Sequence, residues 1–159
     1  MKTNPVIKLL LCITLPLAIG GLSGYITRNE ISGQWFYSLA KPSFNPPEYI
    51  FGPVWTLLYL LMGISLFLVL QTPNTTFRNR ALIFFGLQLL FNFLWSILFF
   101  SCHLLFISVL DIVFTWIFIV CMMEAFRKIK PSTAYLQIPY LLWVTFATFL
   151  NITIWCLNK

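Results

Sequence analysis

Residues 35–55 read WFYSLAKPSFNPPEYIFGPVW, and this stretch decides how the rest of the chain is to be understood. It holds four of the nine prolines and seven aromatic residues. Proline fixes φ, lacks a backbone donor and pushes the residue before it toward extended backbone. Pro42, Pro46 and Pro47 therefore forbid regular helix across Lys41–Pro47. The spacing predicts a rigid loop, and because a long apolar run follows at once, it reads as a structured cap on a membrane bundle rather than a slack linker.

Outside the loop the sequence is overwhelmingly apolar. Of 159 residues, 60% are hydrophobic and 9% charged, with a mean hydropathy of +0.89, far from the composition of soluble domains. Five runs, roughly 5–27, 47–70, 79–100, 104–126 and 133–157, each match the about 20 residues a helix needs to cross about 30 Å of hydrocarbon. None alternates as barrel strands do. The expectation is an all-α membrane protein, a single domain over 1–159 built as a five-transmembrane-helix bundle, with the proline-rich loop between its first two spans. The first run, preceded by Lys2, is too long for a secretory signal and lacks a convincing cleavage site, so it is read as a span. Gly20, Gly21, Ser23 and Gly24 near its end give small-xxx-small spacing, which predicts close packing on a neighbouring helix.

The net charge of +6 does not point to nucleic acid, because the basic residues cluster at span ends. With alternating spans, Lys2, Lys8, Arg78, Arg80, Arg127, Lys128 and Lys130 fall on one side, and Arg28, Lys41 and Lys159 on the other. That split places the amino terminus on the cytoplasmic side, in a bacterial setting, and the proline loop outside. Cys12, Cys102, Cys121 and Cys156 form no CxxC pair and read as small hydrophobes. The sequons at Asn74 and Asn151 are read as chance matches.

Polar residues inside the spans carry the chemistry. In the second span, Trp55, Tyr59 and Met62 share one face beyond a kink expected at Gly52-Pro53. In the third, Gln88, Asn92 and Ser96 recur every four residues beside Trp95, a strip that must face the bundle interior. Two roles are open for it: hydrogen bonding between packed helices, or contact with a ligand. Ser101-Cys102-His103 is a tight turn, with no second metal-binding side chain close in sequence. Asp111 is the acidic residue well inside an apolar run. Such a group is by default a polar contact or proton site, against the alternative of pairing with a neighbouring hydroxyl or helix. In the fifth span, Tyr140, Trp143, Ala147, Leu150 and Asn151 form a face that would look toward Trp55 and Tyr59.

Taken together these residues resemble the TspO/MBR family, the translocator proteins or peripheral-type benzodiazepine receptors. The likeness runs through Trp35, Leu39, Lys41-Pro42, Phe44 and Pro46-Pro47, then Phe51–Thr56, Tyr59 and Met62-Gly63. It continues through Gln88–Trp95 and Phe99-Phe100, and closes with Pro139–Leu141, Trp143, Phe146–Thr148 and Leu150-Asn151. The resemblance implies a five-helix bundle, often a homodimer, in membrane lipid. Its pocket would open toward the loop and take porphyrins such as protoporphyrin IX or haem, sterols such as cholesterol, or benzodiazepine-type compounds. Porphyrin is then a ligand and not an obligatory cofactor. Carried over position by position, the pocket involves Trp35, Pro47, Trp55, Tyr59, Asn92, Trp95, Ser96, Trp143, Ala147 and Leu150. Indole faces stack on planar rings while a few amides and hydroxyls orient polar substituents.

There are two departures. Phe36 stands where many members have Tyr, so a phenolic hydrogen bond is lost unless Tyr37 supplies it. The sterol motif of animal members is replaced by LNITIWC at 150–156, with a looser version at 22–28, LSGYITR. The functional readings are a receptor or carrier for an apolar ligand, a light-dependent porphyrin-degrading protein working through Trp55 and Trp143, and a regulatory or structural membrane subunit.

Overall fold

The computed structural model describes residues 4–31 and 33–159. One reading, the basic count at Lys2, lies outside the described residues. Five long apolar helical segments are present, as the runs predict. Helix α1, Pro5–Ile31, has Pro5 at its first position, where a missing N–H costs nothing, and Asn4 Oδ1 accepts from Val6 N at 2.9 Å. It runs a turn past the expected end at residue 27. Arg28, Asn29 and Glu30 contain no breaker, and Arg28 suits the negative end of the helix dipole. Pro16 lies inside α1 without ending it.

The cap is partly helical. A short helix α2, Gln34–Ser38, precedes the non-helical proline segment, which turns at Ser43-Phe44 with Asn45 N donating to Pro42 O at 3.0 Å. That segment is fastened to the carboxy-terminal end of the chain, where the Asn158 side chain accepts from Ala40 N and donates to Ala40 O, both at 2.9 Å. Pro47 (φ −57°, ψ 141°) is the N-cap of α3, Glu48–Leu70, so the expected start at 47 moves by one residue. Pro53 lies inside α3. At the other end Lys8 Nζ donates to Leu70 O at 2.6 Å, a cation on an unpaired terminal carbonyl.

Helix α4, Thr76–Ser96, begins three residues before the expected 79 because Thr75 caps it, its Oγ1 accepting from Arg78 N at 3.2 Å. A π-helical turn follows at Ile97–Ser101, and His103 closes the turn with φ 58°. Helix α5, Leu105–Ile129, stops where Pro131 forces Lys130 into extended backbone (φ −156°, ψ 109°). The expected fifth span is two helices, α6, Pro131–Tyr135, and α7, Ile138–Leu157, separated at Leu136-Gln137.

The long helices form a ring: α3 beside α1, α1 beside α4, α4 beside α5, α5 beside α7, with α6 reaching back to α3. One end is solid. Met62, Val69, Ala81, Ile119, Met122, Phe126 and Tyr140 are wholly buried there, and α1 and α3 touch backbone to backbone at Gly63. Toward the cap the same helices enclose a cavity. Outward side chains such as Leu11, Leu142 and Phe149 are exposed and apolar, as hydrocarbon contact requires.

Candidate functional site

The cavity has a volume of about 410 Å³ and receives side chains from α1, α2, α3, α4 with its π turn, α5 and α7. Helix α3 supplies one face of it. Glu48, Phe51, Gly52, Trp55, Thr56 and Tyr59 line the wall at i, i+3, i+4, i+7, i+8 and i+11, the register of a single helical stripe. Trp143, Val144 and Ala147 of α7 lie opposite, and Asn92, Trp95, Ser96 and Phe100 close a third side. Aromatic contacts knit the walls together. The Trp55 ring stacks on Tyr59 at 5.4 Å and meets Tyr140 edge-on at 6.2 Å, while Phe51 meets Trp143 at 5.8 Å.

The polar strip of α4 makes hydrogen bonds between packed helices, and two of its members, Asn92 and Ser96, also line the cavity. Tyr59 Oη donates to Asn92 Oδ1 at 2.7 Å, Asn92 Nδ2 donates to Tyr140 Oη at 3.3 Å, and Tyr140 Oη donates to Gln88 Oε1 at 2.8 Å. This chain ties α3, α4 and α7 together under the cavity, and Asn92 also lines it. Beside it, Trp95 Nε1 donates to Asn151 Oδ1 at 3.3 Å, an oxygen that also accepts from Ser108 Oγ at 3.3 Å.

The wall is less polar than its composition suggests. The hydroxyls of Thr27, Thr56 and Thr115 donate to carbonyls one turn back, those of Ser23, Gly52 and Asp111, so their protons are spent within their own helices and they face the cavity only as acceptors. Ser23, Glu48, Tyr59, Asn92 and Ser96 bring the other polar side chains, and the buried Trp143 Nε1 has no partner among the described residues. Such a wall suits a planar apolar ring system held by stacking and oriented by few polar contacts.

Seven of the residues carried over by resemblance meet at this cavity: Trp55, Tyr59, Asn92, Trp95, Ser96, Trp143 and Ala147. Trp35, Pro47 and Leu150 are not in its wall. Helix α2 turns Phe36 inward instead, and Trp35 stacks on the His103 ring at 3.8 Å and 11°. Leu150 is buried against Phe36, Phe99 and Ile154, and Pro47 is exposed at the N-cap of α3. Tyr37, the candidate replacement for a lost phenol, donates to Glu48 Oε2 at 3.1 Å at the mouth. That hydrogen bond to the carboxylate holds the Tyr37 phenol above its ordinary pKa.

The close packing expected of the α1 glycines is found at Gly20, against Tyr59 of α3, while Gly21 and Gly24 front the cavity. A Cβ on Gly21 or Gly24 would meet nothing within 4 Å, and one on Gly20 would run into the Tyr59 ring. His103 does have an acidic neighbour in space, since its Nε2 lies 3.4 Å from Glu30 Oε2. Asp111 is 5% exposed, and its Oδ2 has no hydrogen-bond partner among the described residues. The Thr115 hydroxyl goes to the Asp111 backbone carbonyl at 3.1 Å, not to the carboxyl.

Phe51, Phe100 and the α1 residues of the wall were missed from sequence. Phe51 had a signal, standing one turn before Trp55 on the same face. Phe100 and α1 had none, because their inward direction depends on the π turn and on how α1 crosses the ring.

Comparison with known proteins follows the same lines. The TspO/MBR family pattern matches residues 12–156. The chain is 42% identical to the tryptophan-rich protein TspO of Chlorobaculum tepidum, over 96% of this chain and 97% of that one. It is 35% identical to the tryptophan-rich sensory protein of Cereibacter sphaeroides, over 79% and 77%. With the translocator protein of Ovis aries it shares 33%, over 86% and 83%.

Proposed function

This chain belongs to the TspO/MBR family of membrane proteins, and from that premise we propose that it is a membrane receptor or carrier for a planar apolar ligand. The ligand class is that of porphyrins such as protoporphyrin IX and haem, with sterols and benzodiazepine-type compounds as smaller alternatives. One observation carries the reading: a cavity of about 410 Å³ walled by Trp55, Trp95, Trp143, Phe36, Phe51 and Phe100, with Asn92 and Ser96 among its few polar groups. The volume lies within the about 300–1,000 Å³ of small-molecule sites. Names of relatives, a sensory protein and a translocator protein, accord with sensing or carriage. Titration of the purified protein with protoporphyrin IX should quench its tryptophan emission saturably, and Trp143→Leu should weaken that binding. Quenching that never saturates and is equal in the variant would remove this reading.

A second reading, light-dependent breakdown of a bound porphyrin, draws on one contact. Trp55 lines the cavity and stacks on Tyr59, so an excited pigment would have two oxidisable rings in series beside it. Illumination should then change the absorption spectrum of the bound porphyrin, and darkness should not.

The proposed orientation has the amino terminus on the cytoplasmic side and the proline cap outside. Membrane-impermeant amine reagents applied to intact bacterial cells should label Lys41 and spare Lys128 and Lys130. The opposite pattern would invert the topology.

A further inference from the structure

The cavity wall contains one formally charged side chain among the described residues, Glu48. Its position is not incidental. Glu48 is the first residue of α3, and it heads the stripe that continues through Phe51, Gly52, Trp55 and Tyr59 on the same helical face. From Glu48 to Tyr59 that stripe rises about 16 Å along the helix. A carboxylate thus stands at the outer end of an aromatic wall whose inner end is uncharged and closed by the Tyr59–Asn92 hydrogen bond.

Two features hold the charge in place. The unpaired amides at the start of α3 favour an anion there, and Tyr37 Oη donates to Glu48 Oε2 at 3.1 Å. The basic residue of the cap, Lys41, lies over the Phe36 ring at 3.9 Å and the Tyr37 ring at 5.4 Å, and it is not part of the wall. An ammonium group entering along the stripe would meet the Glu48 carboxylate and the electron-rich faces of neighbouring aromatic rings, both of which attract cations. An anion on the same path meets repulsion from Glu48, offset in part by the Lys41 ammonium over the Phe36 ring.

Resting on the reading of this cavity as the ligand site, we propose that Glu48 selects its ligand by charge: the site takes a planar lipophilic cation, an aromatic amine with its ammonium at the mouth, in preference to an anion of the same shape. Dicarboxylic porphyrins therefore enter against a penalty that amine-bearing ligands of similar bulk do not meet.

The test uses three fluorescent probes of one scaffold, pyrenemethylamine, pyrenemethanol and pyrenecarboxylic acid, bound to the full-length protein in an uncharged detergent and read by energy transfer from tryptophan. In the wild type the amine should bind about fivefold tighter than the alcohol, and the alcohol tighter than the acid, with the spread narrowing at high salt. Glu48→Gln should bring the amine-to-alcohol ratio to about one, and Glu48→Lys should invert the order of amine and acid. Equal binding of all three probes, or a wild-type order kept in Glu48→Gln, would overturn charge selection while leaving the cavity as a ligand site. If no probe binds saturably to the wild type, the ligand-site reading fails, and the selection by Glu48 goes with it. Melting curves of both variants without probe separate a lost site from a lost fold.

Discussion

Gly63→Ala is expected to lower the melting temperature sharply, whereas Gly86→Ala in the same fold should leave it unchanged or raise it. A Cβ on Gly63 would stand 2.5 Å from Ile13 Cα and 2.8 Å from Cys12 O. These are backbone atoms of α1, so no side chain can swing aside. The two helices would have to separate along the face where they pack. Overpacking of a close contact costs about 1–3 kcal/mol, and a clash between two backbones belongs at the upper end of that range. Around Gly86 a Cβ would meet nothing within 4 Å, and alanine is the better helix former by about 1 kcal/mol. Thermal unfolding of both variants in one detergent provides the check. Equal melting points would mean that α1 and α3 are not held by this contact.

Ala147→Thr is expected to weaken binding of a bulky planar ligand by about tenfold or more, about 1.4 kcal/mol, while the apo protein melts close to the wild type. Ala147 lines the cavity one turn after Trp143. Threonine adds two heavy atoms to that wall and narrows the space between α7 and the α3 stripe. Its hydroxyl has a ready partner one turn back, as Thr145, Thr148 and Thr153 of the same helix already show by donating to Leu141, Val144 and Phe149 carbonyls at 2.7–2.8 Å. The polar atom is therefore satisfied within α7, and the penalty falls on the ligand. Protoporphyrin affinity and melting temperature, measured side by side, separate the outcomes. Unchanged affinity with a strongly lowered melting point would make Ala147 a helix-packing residue.

Local chemistry accounts for what could be read from the sequence. Runs of about 20 apolar residues have few alternatives to spanning helices, and three prolines within six residues exclude regular helix, so the five spans and the non-helical Lys41–Pro47 segment were legible from composition and spacing alone. The inward direction of Gln88, Asn92 and Ser96 was legible for a related reason, since amides on one helical face do not remain in hydrocarbon. The stripe of α3 and the face of α7 through Tyr140, Trp143 and Ala147 followed from helical periodicity. Leu150 shows where periodicity stops being enough: it lies on the same face of α7 as Ala147, one turn further on, yet it packs under Phe36 and Phe99. Which residues of a stripe meet a cavity depends on what the neighbouring elements bring to that level.

Only the tertiary structure decided the rest. Phe36 replaces Trp35 at the wall because α2 adds a helical turn inside a stretch whose prolines all lie further on. Of the α1 glycines, Gly20 makes room for the Tyr59 ring of α3 and Gly21 and Gly24 for a cavity, while backbone meets backbone at Gly63, a distinction that small-xxx-small spacing cannot make because it records size and not the neighbour. Glu48 is by its place in the chain a first-turn acid of α3, and it becomes the charged end of an aromatic wall only when α1, α4 and α7 close around its face. The physical reason is common to all three. Propensity and hydropathy act within a few residues of chain, whereas a cavity is the space left between helices far apart in sequence, and its shape depends on their mutual packing.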